Sequence, residues 1–150
     1  KFYNFTDIEN LGKQIYNTKC ASCHTSKHNF TVKANASNGL DLHYPDKGVG
    51  ARLNNPELFG VFKIPFLRNI NLTSPYMHDG RFESLEEVVE HYSTGIQAHK
   101  NLDEDLKDAD GSPIKMNFSE QEKEALVAYL RTLTDTKLPS DERFSDPFRS

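Results

Sequence analysis

Apolar residues recur at helical spacing in three separated stretches of the chain. Ile8, Leu11, Gly12, Ile15 and Tyr16 follow i, i+3, i+4, i+7, i+8 behind the capping residues Thr6 and Asp7, which predicts an amphipathic helix near the amino end. Ser84 and Glu87 have the spacing of a capping box ahead of Leu85, Val88, Val89 and Tyr92, with Gly95 as a stop signal. That second helix is short. Ser119 and Glu122 form another such box, and Ala125, Leu126, Tyr129, Leu130 and Leu133 mark one face of a third helix that ends before Pro139. Helical spacing turns Tyr92 inward with Leu85, Val88 and Val89, and places His91 on the polar face with Ser84 and Glu87.

Between Thr25 and Ser84 periodicity is poor, and Gly39, Pro45, Gly48, Gly50, Pro56, Gly60, Pro65, Pro75 and Gly80 punctuate the stretch. So long an irregular segment inside one domain points to a functional loop or a wrap around a cofactor. The segment from Asn101 to Pro113 is polar and acidic, and reads as a solvated excursion without the glycine and spacing of a calcium loop. Residues 1–138 read as one domain and 139–150 as a tail, which Phe144 and Phe148 would anchor to the body or to another subunit.

Composition sharpens the cofactor argument. The chain has 150 residues, of which 36% are hydrophobic, with no Trp, and its mean hydropathy is −0.69. Side chains alone would make a lean core, and a buried prosthetic group would fill it. A net charge of −4 and a pI near 5.9 argue against nucleic acid or an anionic membrane surface as partner. No apolar run reaches membrane-spanning length.

The only two cysteines fall in Cys20-Ala21-Ser22-Cys23-His24. Two thiols at this spacing can bond the two vinyl groups of one haem, and the histidine that follows is then held beneath the iron. A redox disulfide would call for a βαβ pattern around the motif, and a structural zinc for a second ligand pair. The sequence supplies neither. His28, His43 and His99 read as solvent-facing.

Gly12 and Tyr16 on the first helix, with Tyr129 and Leu130 on the last, resemble the terminal-helix crossing of class I cytochromes c. A more specific resemblance lies in FKIPFLRNINLTSPYMHDGRFESLEEVVEHY, from Phe62 to Tyr92, with NGLD at Asn38 to Asp41 and FSEQEKEALVAYLRTLTD from Phe118 to Asp135. These strings closely resemble the carboxy-terminal haem domain of the bacterial di-haem cytochrome c peroxidase and MauG superfamily, over about Asn10 to Asp135. The resemblance implies an all-α, cytochrome c-like fold of about three main helices with long haem-wrapping loops. It implies one covalent haem, and an exported chain in the periplasm or outside the cell. The second haem domain of that superfamily has no counterpart here, so the chain reads as a mono-haem relative, a fragment or a subunit.

Carried over residue by residue, the resemblance makes Tyr92 the sixth iron ligand, and Met77 corresponds to a packing position; the rival ligand is Met116, just ahead of the last helix, where class I cytochromes c place their axial methionine and MauG-like sequences commonly carry leucine. It places His78 near the haem as a gating or catalytic residue, and Thr73 and Pro75 where backbone carbonyls bind calcium between two domains. Arg68 is expected to neutralise a haem propionate. Electron transfer is the leading function, to a redox partner whose docking patch would be basic. The alternatives are a peroxidase or MauG-like oxidase domain using hydrogen peroxide, and a structural subunit of a larger haem assembly.

Overall fold

All three predicted helices are capped as their sequences dictate. In the computed structural model, which describes residues 4–24 and 31–148, Thr6, Ser84 and Ser119 each accept from the backbone N–H three residues on, and Glu9, Glu87 and Glu122 reach back to the cap. The helices are α1 (Asp7–Lys19), α3 (Leu85–Glu90) and α4 (Glu120–Thr132); a five-residue α2 (Val49–Leu53) lies in the irregular stretch.

The crossing of α1 over α4 organises the core. A methyl group on Gly12 would lie 1.9 Å from the Ala125 carbonyl oxygen and 2.8 Å from Tyr129 Cβ, so only glycine permits this approach. Tyr16 and Tyr129 lock the contact with ring centroids 5.1 Å apart, and Ala125 and Leu126 complete the buried seam. The Tyr16 hydroxyl also donates to the His24 carbonyl, which ties the cysteine motif to the helix pair.

The fold is helix-rich but not all-α. Asn35–Ala36 (β1) and Phe62–Lys63 (β2) pair antiparallel, with Asn35 opposite Lys63, and Ile64 N–H extends the pairing by donating to the Ala34 carbonyl. Two-residue strands carry no readable alternation, which is why sequence periodicity passes over them. The L-R-N string also has a structural role. Asn69, at φ 62°, bonds back onto the end of α4: its N–H donates to the Leu133 carbonyl, and its side chain accepts from Asp135 N–H at 2.6 Å.

Two sequence expectations fail at the surface. Phe144 and Phe148 are 67% and 91% exposed, so of the two expected anchorages for the tail they do not supply the one to the body. The acidic excursion is partly drawn in, because Lys33 pairs with Asp103 at 2.6 Å and with Asp105 at 2.8 Å, and Leu102 is buried behind them. Among the described residues no helix is long and apolar enough to cross a membrane.

Candidate haem site

Helix α1 delivers the cysteine motif into a cavity. Cys20 N–H continues the helical bonding to Tyr16 O, and the chain then turns tightly, with His24 N–H donating to Cys20 O at 2.8 Å. Cys20, Cys23 and His24 all line a cavity of about 390 Å³ whose remaining wall is largely apolar, including Ile64, Leu67, Leu85, Val89, Phe118 and Leu130. That size and lining suit a prosthetic group better than a water-filled cleft.

The His24 ring is oriented by one bond. Its Nδ1 lies 3.0 Å from the Pro65 carbonyl oxygen, which can only accept, so Nδ1 carries the proton and Nε2 keeps its lone pair. Burial pushes the His24 pKa down, against the pull of the Pro65 carbonyl. A neutral imidazole with a free Nε2 is the form that binds a metal.

Both cysteines are free thiols, and their environment is the reverse of a redox pair. Burial pushes Cys20 up to about 12, with the neighbouring Cys23 adding to the shift, and burial raises Cys23 as well. Redox-active cysteines need lowered pKa values, so a thioredoxin-like role does not fit. Cys23, Asp103 and Asp105 bring three possible metal donors within 4.8 Å of one another, but the Lys33 ammonium already pairs with both carboxylates.

Tyr92 and Met116 line the same cavity, as do Met77, His78, Thr73 and Pro75. Tyr92 is half-buried, and burial pushes its hydroxyl up to about 12, an effect partly offset by the Asn38 side chain. The His78 ring lies stacked on Phe62, centroids 3.8 Å apart, with Tyr44 beside it.

Arg68 is elsewhere. Its guanidinium pairs with Asp135 at 3.3 Å, its side chain is 58% exposed, and it does not line the cavity. The adjoining Asn69 bonds to the end of α4, and that contact turns Arg68 towards Asp135. Among the described residues, the lysines that line the cavity are Lys19 and Lys63.

His91 also departs from the expected pattern: it is buried, and its Nε2 lies 3.0 Å from the Asn38 carbonyl. The reason is local geometry. Ordinary α-helix ends at Glu90, and a π-helical turn covers His91–Gly95, so 100° spacing no longer assigns faces there. Both His91 and Tyr92 are thereby packed. His99 is buried too, edge-on to Tyr44 at 4.9 Å between centroids, with Nδ1 accepting from Asn101 N–H. His43 is exposed as expected, and His28 lies outside the described residues.

Sequence reasoning missed Asn38 as a site residue. It lines the cavity, its Nδ2 donates to Met77 Sδ at 3.4 Å, and its backbone carbonyl takes the His91 bond. The only signal in the sequence was its place in the NGLD string. Two further bonds close this wall, since Arg81 donates to both oxygens of Asp41 at 2.8 and 2.6 Å. That bidentate pair clasps the segment of Asn38 to the segment of His78.

Residues 9–147 match the family model for di-haem cytochrome c peroxidase. The methylamine utilization protein MauG of Methylorubrum extorquens is 35% identical over 121 residues, covering 76% of this chain and 30% of that protein. A solved MauG-like protein associated with microbial copper homeostasis superposes with a TM-score of 0.72 at 32% identity, over 97% of this chain and 52% of that one. The di-haem peroxidase BthA from Burkholderia thailandensis shares the fold, with a TM-score of 0.68 at 21% identity, over 89% of this chain and 44% of its own. The chain thus spans about a third to a half of these relatives.

Proposed function

Because this chain belongs to the di-haem cytochrome c peroxidase family, we propose that it is a cytochrome c-like domain that holds one covalent haem and passes electrons through it. One observation carries the reading: Cys20, Cys23 and a His24 with its Nε2 freed by Pro65 converge on an apolar cavity that the half-buried Tyr92 also lines. Bound there, the haem supplies a one-electron iron couple.

Every other task falls to the chain. Cys20 and Cys23 anchor the group by thioether bonds, and His24 Nε2 is the proximal ligand. Tyr92 is the sixth ligand, favoured over Met116 because the π turn packs it into the cavity beside Asn38. A phenolate is a hard anionic donor that favours ferric iron, so the couple sits at low potential. Among the described residues, Lys63 and Lys19, rather than Arg68, are the cations that line the cavity and would meet haem propionates. The apolar wall excludes water and lowers the cost of moving the electron.

A second reading, peroxide chemistry at this domain's own haem, is favoured by His78, whose ring is held at the cavity against Phe62. Such chemistry needs a polar residue positioned as acid or base near bound peroxide. Optical spectra of the ferric and ferrous protein, with and without cyanide and peroxide, separate the two. Electron transfer predicts a closed six-coordinate ferric iron that takes cyanide slowly and does not turn over peroxide. Rapid cyanide binding with peroxide turnover would move the chemistry here.

The wider setting follows from the same reading. The domain works with a second haem domain or subunit, and Thr73 and Pro75 offer backbone carbonyls to a calcium ion shared with it. The protein is exported, since c-type haem attachment in bacteria follows export. A net charge of −4 selects a redox partner with a basic docking patch, so association should slow as salt is raised.

A further inference from the structure

Tyr92 sits between two residues of the π turn His91–Gly95 that are each bonded to a different part of the molecule. On one side, His91 Nε2 lies 3.0 Å from the Asn38 carbonyl. On the other, Ser93 takes two backbone bonds from the segment just ahead of α4. Its carbonyl accepts from Asn117 N–H at 3.0 Å, and its Oγ accepts from Phe118 N–H at 2.9 Å. An extra residue in a helix is a local irregularity that recurs at functional sites. Here it is fastened from outside, next to the candidate ligand.

Ser93 has no exposed surface, and Phe118 is buried with it. A hydroxyl at this position is chemically specific, because a buried N–H that loses its acceptor keeps the full cost of leaving water. The left-handed turn at Asn117, φ 48°, lets two successive N–H groups reach one residue. An ion pair reinforces the junction, since Glu90, just before the π turn, meets Lys123 of α4 at 2.6 Å. Residues on both sides of the junction face one space: Tyr92 on the π turn, and Met116 and Phe118 on the other segment, all line the cavity. Ser93 does not line it, so its bonds act only through the chain.

Resting on the reading of Tyr92 as sixth ligand, we propose that Ser93 is its positioning residue. By tying the π turn to the Asn117–Phe118 segment, Ser93 holds Tyr92 against the cavity and sets how firmly the phenol oxygen attaches to ferric iron. A ligand held by its own backbone binds without first losing conformational freedom. Released from Phe118, the π turn slackens and Tyr92 attaches more weakly. An outside ligand that competes for the same position then binds more tightly, and the ferric state loses stability relative to the ferrous. Control of the iron couple thus extends to a side chain outside the cavity.

The test uses the haem-loaded protein, with cyanide titration of the ferric form and potentiometric titration, both followed optically. Ser93→Ala removes the Oγ acceptor and should weaken Tyr92 attachment about tenfold, the effect of one hydrogen bond. That factor should be read twice: cyanide affinity rises about tenfold, and the potential rises by about 59 mV for a one-electron couple. In a Tyr92→Phe background, Ser93→Ala should change neither, since it acts through Tyr92. A lower melting temperature with unchanged cyanide affinity and potential would make Ser93 merely structural and overturn the proposal. An equal gain in cyanide affinity with and without the Tyr92 hydroxyl would also overturn it, because Ser93 would then act on the cavity and not on the ligand. If Ser93→Ala does not load haem, Ser93→Cys decides, since sulfur is a weak acceptor and both readouts must move in the same direction. If Tyr92→Phe rewrites the ferric spectrum while the Ser93 variants keep the parent values, this inference fails and the ligand assignment stands. If Tyr92→Phe leaves the spectrum intact, the ligand assignment falls first and this inference with it.

Discussion

The two walls of the cavity are built in opposite ways. The proximal wall is one contiguous segment: α1 runs straight into Cys20, Cys23 and His24, and the α1/α4 crossing holds it through Gly12, Tyr16 and Tyr129. The facing wall draws Asn38, His78 and Tyr92 from three segments, joined by the Arg81–Asp41 clasp and the His91 to Asn38 bond. The lesson is that, on the proposed reading, attachment is encoded locally, whereas the properties of the iron would be set by long-range contacts. The first should fail through stability, the second through spectrum and potential.

The largest expected effect sharpens that contrast at the facing wall. Tyr92→Phe should convert a ferric iron that takes cyanide slowly into one that takes it rapidly, with little change in melting temperature. Met116→Leu should leave the ferric spectrum and the cyanide rate near their parent values. A near-infrared sulfur-to-iron band that disappears in Met116→Leu would reverse the assignment and make the pair His/Met.

Gly12→Val tests the proximal wall. A branched side chain there meets the Ala125 carbonyl, so α1 must shift and carry the cysteine motif with it. The expected loss is at least about 1–3 kcal/mol, the usual range for overpacking. Urea denaturation of the haem-loaded protein measures it, and the spectrum of the surviving folded fraction should match the parent. A folded Gly12→Val protein with an altered potential would erase the distinction between the walls.

A smaller effect concerns pH. Burial lowers the His99 pKa from its ordinary 6.5, with Lys100 and His43 acting in the same direction. The unfolded chain therefore binds this proton more readily than the folded one, and stability falls as pH drops below about 6.5 towards the depressed value. Above that pH the group has no effect. Melting temperatures at about pH 7.5 and 5.5 should diverge less in His99→Gln than in the parent, and an identical divergence would assign the loss to other groups.

The smallest effect is expected at Arg68. Its exposed pair with Asp135 should contribute no more than about 1 kcal/mol. Arg68→Ala should leave the potential unchanged, whereas Lys63→Ala should shift it. A clear potential change in Arg68→Ala would bring that residue back to the propionates.

Much of the proximal wall was legible in the sequence, for a physical reason. Capping residues at Thr6 and Ser119, the helical spacing around Gly12 and the spacing of Cys20, Cys23 and His24 are short-range signals, and short-range signals survive in a linear reading. The facing wall hid where a local rule gave way. His91 was assigned to the polar face by 100° spacing, and the π turn moved it inside. Arg68 had the right chemistry for a propionate, but Asn69 anchors its segment to the end of α4 and leaves the guanidinium with Asp135. His99 lies in a polar run, yet Tyr44 and Gly60 cover it. None of these contacts leaves a periodic trace.

The central claim is that Cys20 and Cys23 carry one haem with His24 beneath it. Denaturing mass spectrometry of the matured protein after acid–acetone extraction tests this most directly. The account predicts a polypeptide heavier by one haem, and a Cys20→Ala, Cys23→Ala double variant that loses the added mass on extraction. A parent mass equal to the bare chain, or two protons lighter for a disulfide, would contradict it.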